Sequence, residues 1–219
     1  MIPDGTVFER SARNSDIRRQ AFVKAAEHAF IESGYGGTTM SSIAAAVGGS
    51  KTTLWTYFRS KEALFEAVID RLGEAYGAAL MTPIATDQPL PEVLDRVATG
   101  MMTAVLSAPM IALMRLVTGE AGRFPELARI FHDRGPRRGR ERLAAYFAAM
   151  MERGDMRRGD PNQAALQFGA MCQSGVYQQT LLGLIEKATP RQVRADIEAA
   201  ITSFNRAWKP GTKAKGDGG

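Results

Sequence analysis

From about Ser15 to Ser33, apolar positions recur at three- and four-residue intervals. Phe22, Val23, Ala26, Ala29 and Phe30 fall on one helical face, with Ser15 and Asp16 supplying a start signal and Gly34 a stop. The stretch that follows, GGTTMSSIAAAVGGSKTTLWTYFRSKEALFEAVIDRL, divides into shorter pieces. Thr39 is placed to cap a helix of about 40–47, Gly48 and Gly49 supply a turn, Ser50 caps a second short helix of about 51–57, and Ser60 caps a third running toward 80. Beyond it the spacing predicts helices near 91–106, 108–118, 125–153 with a kink at Gly135-Pro136, 162–184 and 190–208. Alternating apolar and polar stretches are scarce, so the expected fold class is all-α.

The breakers also divide the chain. Residues 1–14 are polar and aperiodic and are expected to form a flexible arm. Residues 15–60 form a three-helix unit containing a helix-turn-helix, 61–81 a connecting helix, and 82–208 a larger helical domain opened by the proline-punctuated TPIATDQPLP. The final KPGTKAKGDGG, 209–219, has the composition of a disordered tail.

Composition removes several function classes. Of 219 residues 45% are hydrophobic, enough for a sizeable core, and 28 Lys+Arg against 23 Asp+Glu leave a formal charge of +5, which permits a polyanionic partner. No apolar run is long enough to span a bilayer and the N-terminus lacks a signal-peptide core, so no membrane partner and a cytoplasmic location are expected. The single cysteine, Cys172, excludes an intramolecular disulfide, and the two histidines, His28 and His132, are far apart, so neither metal nor cofactor is expected. A phosphate loop and an oriented catalytic base are both lacking, which argues against an enzyme.

The candidate chemistry lies in the short hairpin. Leu54 and Phe58 face inward with Ile43, Ala44 and Val47 of the preceding helix, whereas Lys51, Thr52, Thr53, Trp55, Thr56 and Tyr57 occupy the other faces. Short hydroxyls, a cation and rings with polar tips suit base edges and phosphate oxygens, and the cap residues Thr39 and Ser50 sit at the same edge. The same hairpin also fits a packed helical corner with no DNA partner.

The pattern T-T-M-x-x-I-A-x-x-x-G-x-S-K-x-T-L-W-x-Y-F-x-S-K-E-x-L-F, Thr38 to Phe65, resembles the tetracycline-repressor (TetR) family of bacterial transcription regulators. That resemblance implies an N-terminal DNA-binding domain of three helices, an effector-binding helical domain and a homodimer on double-stranded DNA with a pseudo-palindromic operator. Carried over by position, Lys51, Thr52 and Trp55, with Ser41, resemble residues that approach base edges, while Thr53, Tyr57 and Lys61 resemble phosphate-contacting positions. Trp55 stands where the family usually has tyrosine, leaving an indole N–H as its sole donor. Gly49 replaces a usual buried valine and is expected to loosen packing under the recognition helix.

Eight of the eleven methionines lie between 101 and 171, and flexible thioethers suit an adaptable cavity as well as an ordinary core. The family's effector pocket implies walls at Met101, Met102, Met114, Phe131, Tyr146, Phe147, Met150 and Phe168, a set that favours a small, largely apolar effector; Arg115 is placed either inward toward an anion or outward to solvent. Residues Gly122–Met150 are similar to effector domains of the AefR-like subgroup, and the arginines crowded in 123–158 read best as a solvated face, with a second nucleic-acid patch as the other reading. Small residues including Gly169 and Gly175, with the stripe Ile197, Ile201, Phe204 and Trp208 on the last helix, resemble the family's dimerising bundle; packing within one chain is the other reading of that stripe. The expected function is a transcriptional repressor released by its effector, with an effector-free architectural DNA-binding protein as the alternative.

Overall fold

The computed structural model describes residues 5–77 and 82–210. Among them are eleven α-helices: α1 Gly5–Gly37, α2 Met40–Ala46, α3 Lys51–Tyr57, α4 Lys61–Tyr76, α5 Leu90–Val105, α6 Ala108–Glu120, α7 Pro125–Arg134, α8 Pro136–Arg153, α9 Pro161–Cys172, α10 Val176–Leu181 and α11 Pro190–Trp208. The chain folds as two compact units, one comprising the residues up to Glu74 with Ala112–Arg134, the other Ala75–Ile111 with the residues from Gly135 onward. Neither unit is a continuous stretch of sequence. The expected boundary at 81/82 therefore misassigns 112–134, which belongs with the N-terminal helices.

In the first unit α1 begins at Gly5 rather than Ser15, because no glycine or proline interrupts the chain from Thr6 to Ser33 and the polar segment simply extends the helix. The rest of the expected arm, 1–4, lies outside the described residues, as does the expected tail from 211 onward. Gly34 breaks α1 at φ 74°, a left-handed conformation that glycine adopts without the Cβ penalty. Phe22, Val23, Ala26 and Phe30 are buried, as are Ile43 and Ala44 of α2, Leu54 of α3, Phe58, and Leu64, Phe65, Val68 and Leu72 of α4. Leu113, Val117 and Leu127 from the returning segment are buried too.

The second unit has an aromatic centre. Phe147 of α8 stacks on Phe204 of α11 at 5.2 Å between ring centroids, Phe168 of α9 meets Phe204 edge-on at 5.0 Å, and Trp208 stacks on Phe204 at 6.1 Å. Val93, Leu94 and Met102 of α5 complete this core with Ile197 and Cys172. The expected kink near 135 is a full break, since Gly135 leaves helical geometry and Pro136 lacks the N–H that would continue the ladder. The expected helix 162–184 is likewise two helices. Its break at 173–175 is held by the Asp196 carboxylate of α11, which accepts the Val176 N–H at 2.7 Å; a Cβ on Gly175 would collide with that carboxylate. No single helix among the described residues is long and apolar enough to cross a membrane.

Candidate nucleic-acid interface

Local capping builds the hairpin. Thr39 accepts the Ser42 N–H at 3.1 Å while Ser42 Oγ accepts the Thr39 N–H at 3.1 Å, a reciprocal box that starts α2. Gly48, at φ 67°, carries the chain out of α2 in the left-handed region. Ser50 then accepts the Thr53 N–H at 3.1 Å and starts α3. Buried Leu54 anchors the inner face of α3, and Lys51, Thr52, Trp55 and Thr56 are left on the exposed side. Trp55 is 39% exposed, so part of its indole is open to a partner outside the chain. Ser41, Thr39 and Ser50 are also exposed.

Thr53 and Tyr57 are half-buried. The Thr53 hydroxyl lies 2.9 Å from Ser50 Oγ within the cap, whereas the Tyr57 ring packs on Phe22 at 5.8 Å and its hydroxyl accepts from Ser15 at 3.3 Å. Nine of the ten residues expected at the DNA face thus gather on or beside α2 and α3. Lys61 does not join them. Its ammonium donates to the Tyr35 carbonyl at 2.8 Å and the Thr38 carbonyl at 3.1 Å, and lies 4.1 Å from the Tyr35 ring centroid. A cation set on the carbonyls at the end of α1 helps hold that end in place, a contact its spacing beside the hairpin does not reveal.

Gly49 also departs from expectation. A Cβ there would stand 3.2 Å from Cζ of Phe22, so the ring fills the place of the missing side chain and the packing is not loosened. Arg18 brings its guanidinium to the same turn, with Nη2 3.6 Å from where that Cβ would be. It is a cation at the hairpin edge that local spacing did not single out, because α1 and the turn meet only in the folded unit.

The other two candidate sets fare differently. Of the eight expected pocket residues, Met102, Tyr146, Phe147, Met150 and Phe168 are buried together in the second unit, with partly buried Met101 against them. Tyr146 donates to the Gln88 carbonyl at 2.8 Å, and Gln173 Nε2 donates to Met101 Sδ at 3.6 Å. Met114 and Phe131 belong to the first unit and do not share that core. Arg115 is exposed. In the expected dimer set, Ile197, Phe204 and Trp208 are buried in their own chain's core, Ile201 packs against it, and Gly175 is closed over by Asp196. The Trp208 indole donates to Gln167 at 2.9 Å, and the Arg157 guanidinium lies 4.1 Å from the Trp208 ring centroid. Of that set, Ile197, Phe204 and Trp208 thus pack within one chain, the other reading of the stripe, while Ile201 is partly buried and a Cβ on Gly169 would meet open space.

A capped hairpin whose second helix shows a lysine, two threonines and an exposed indole, on an all-helical scaffold, is the reading element of a helix-turn-helix DNA-binding protein. Residues 22–68 match the bacterial regulatory proteins of the tetR family, and residues 92–210 match the C-terminal domain of AefR-like transcriptional repressors. The chain belongs to the TetR family of transcriptional regulators. It is 34% identical to the HTH-type transcriptional regulator TcmR of Streptomyces glaucescens over 118 residues, 51% of this chain and 52% of TcmR, so it spans about half the length of that relative. The solved flavonoid-responsive regulator FrrA is similar over 90% of this chain and 100% of its own, with 32% identity and a TM-score of 0.78. A TetR family regulator from Pseudomonas syringae pv. tomato str. DC3000 matches over 87% and 96%, with 26% identity and a TM-score of 0.72. Regulators of this family bind DNA operators and small-molecule effectors, typically as dimers.

Proposed function

We propose that this chain is a homodimeric repressor that binds a pseudo-palindromic operator through α3 and is released by a small, largely apolar effector taken up by the second unit. The observation that carries the reading is the exposed face of α3, with Lys51, Thr52, Trp55 and Thr56 turned out while Leu54 anchors the helix. One seven-residue helix offers too few base-reaching side chains for a long site, and two copies about 34–36 Å apart would read successive major grooves. The side chains left free for a second copy are on the outer faces of α9 and α11 and in the turn after α10: Leu166, Ala170, Ala195, Ala199 and the strongly exposed Leu182 and Leu184.

Met101, Met102, Tyr146, Phe147, Met150 and Phe168 are our candidates for contact with the effector. They offer thioethers and rings that can repack around an apolar guest. FrrA is described as flavonoid-responsive, and an aromatic ligand of that class fits such a lining. Footprinting on the DNA flanking the gene tests the operator reading: two related half-sites are expected, and protection of one unpaired half-site by a monomer overturns it. A flavonoid panel in thermal-shift and gel-mobility assays tests the effector reading. A compound that stabilises the protein must weaken operator binding in proportion to its preference for the DNA-free conformation, and stabilisation without release favours the architectural alternative.

A further inference from the structure

The end of α1 is held by groups from distant parts of the sequence. Because Gly34 turns the chain out of helical geometry, the amides of Tyr35 and Gly36 start a new turn and have no intrahelical acceptor. Both donate to one side chain: Tyr35 N–H to Glu120 Oε1 at 2.7 Å and Gly36 N–H to Glu120 Oε2 at 2.8 Å. Lys61 binds the carbonyls of Tyr35 and Thr38 in the same stretch, so its peptide groups are gripped by an anion on the amides and a cation on the carbonyls.

The grip depends on glycine. A Cβ at position 34 would lie 2.5 Å from Glu120 Oε1, and one at 36 would lie 3.0 Å from the Phe124 ring. A second attachment stands at the far end of α7, where Arg134 Nη1 meets Asp70 at 2.5 Å and Nη2 meets Glu66 at 2.5 Å, both on α4. The returning segment is thus fastened to α1 through Glu120 and to α4 through Arg134, the two helices that flank the hairpin in sequence. Neither residue lies on the DNA-reading face.

We propose that Glu120 is a positioning residue for operator binding: by holding the amides of Tyr35 and Gly36 it fixes the end of α1, and with it the direction in which α3 presents Lys51, Thr52 and Trp55. The inference rests on the dimeric operator reading above, since direction matters most when two recognition helices must fit one duplex. A glutamine at 120 keeps one acceptor but turns its NH₂ toward the other amide, so it should hold half of the grip.

The test uses the full chain with Ala45→Cys, an exposed position on α2 outside the reading face, carrying a spin label. Cys172 is fully buried and does not compete for the label. The unsubstituted background should show one narrow distance between the labels of two protomers. Glu120→Ala should at least double the width of that distribution and weaken binding to the footprinted operator tenfold or more, with Glu120→Gln between the two. If Glu120→Ala fails to fold, the comparison with Glu120→Gln decides. An unchanged distribution or an unchanged affinity overturns the assignment. The absence of any distance between labels in the background overturns the dimer reading itself, and the inference falls with it.

Discussion

Lys61 and Gly49 show how a residue's role is set by partners that local spacing does not reveal. Lys61 opens α4 beside the hairpin, yet two carbonyls and a ring at the end of α1 claim its ammonium. Lys61→Met should therefore lower stability to urea by about 1–3 kcal/mol, the cost of leaving those buried-side acceptors unpaired, with the salt dependence of operator binding unchanged. A slope reduced by about one would restore the phosphate role. Gly49→Val would bring a side chain onto the Phe22 ring and should destabilise by about 1–3 kcal/mol in the same assay; a gain in stability would show that the turn has room. Trp55 gives the converse case. Its indole is 39% exposed and partly packed, so Trp55→Ala should lower stability less than loss of a core aromatic while altering discrimination among operator variants by about 1–3 kcal/mol. The exposed face of α3 is legible in the sequence because caps and a four-residue apolar spacing decide it locally. The roles of Lys61, Gly49, Arg18 and Glu120 were not, because each depends on a contact between segments far apart in the chain.

At the scale of elements, helix type and most limits followed from the apolar period, and α3 and α11 have the limits that capping and spacing predict. What periodicity does not contain is the partner of an apolar stripe. The face of α11 with Ile197, Phe204 and Trp208 has the same appearance whether it meets a second subunit or its own core, and within the chain Phe204 packs on Phe147 and Phe168. Phe204→Ala should then cost about 3–5 kcal/mol in equilibrium unfolding, at protein concentrations where the oligomeric state is constant. A cost that varied with protein concentration would return the residue to an interface between copies. The break between α9 and α10 escaped the sequence for a related reason: its stabilising carboxylate, Asp196, comes from α11.

For the molecule as a whole, burial sets the alkaline limit. Desolvation pushes the Cys172 thiol up from 9.0 to about 12, and burial raises the Tyr35, Tyr146 and Tyr177 hydroxyls as well. The folded chain keeps these protons after the unfolded chain has begun to release them, so stability from this source is intact below about pH 9 and falls as pH rises from there toward 12. Urea midpoints measured from pH 7 to 11 should decline only above 9, and a thiol reagent should leave Cys172 unmodified in the folded protein at pH 8.

The interleaving of the two units has a consequence for modular exchange. Regulators with an N-terminal reading head and a C-terminal sensor invite the construction of hybrids, in which the head of one relative is spliced to the sensor of another near residue 74. In this chain such a splice would part the head from Ala112–Arg134, and so from Glu120 and Arg134, which the sensor's gene segment would still encode. A transplanted head would meet a brace shaped for Gly34, Gly36, Glu66 and Asp70 of the original. Hybrids that also exchange residues 112–134 should bind the head's DNA site where simple splices do not. Part of such a reading head is then encoded downstream of the first residues of the sensor, and the two stretches of the head must be inherited together.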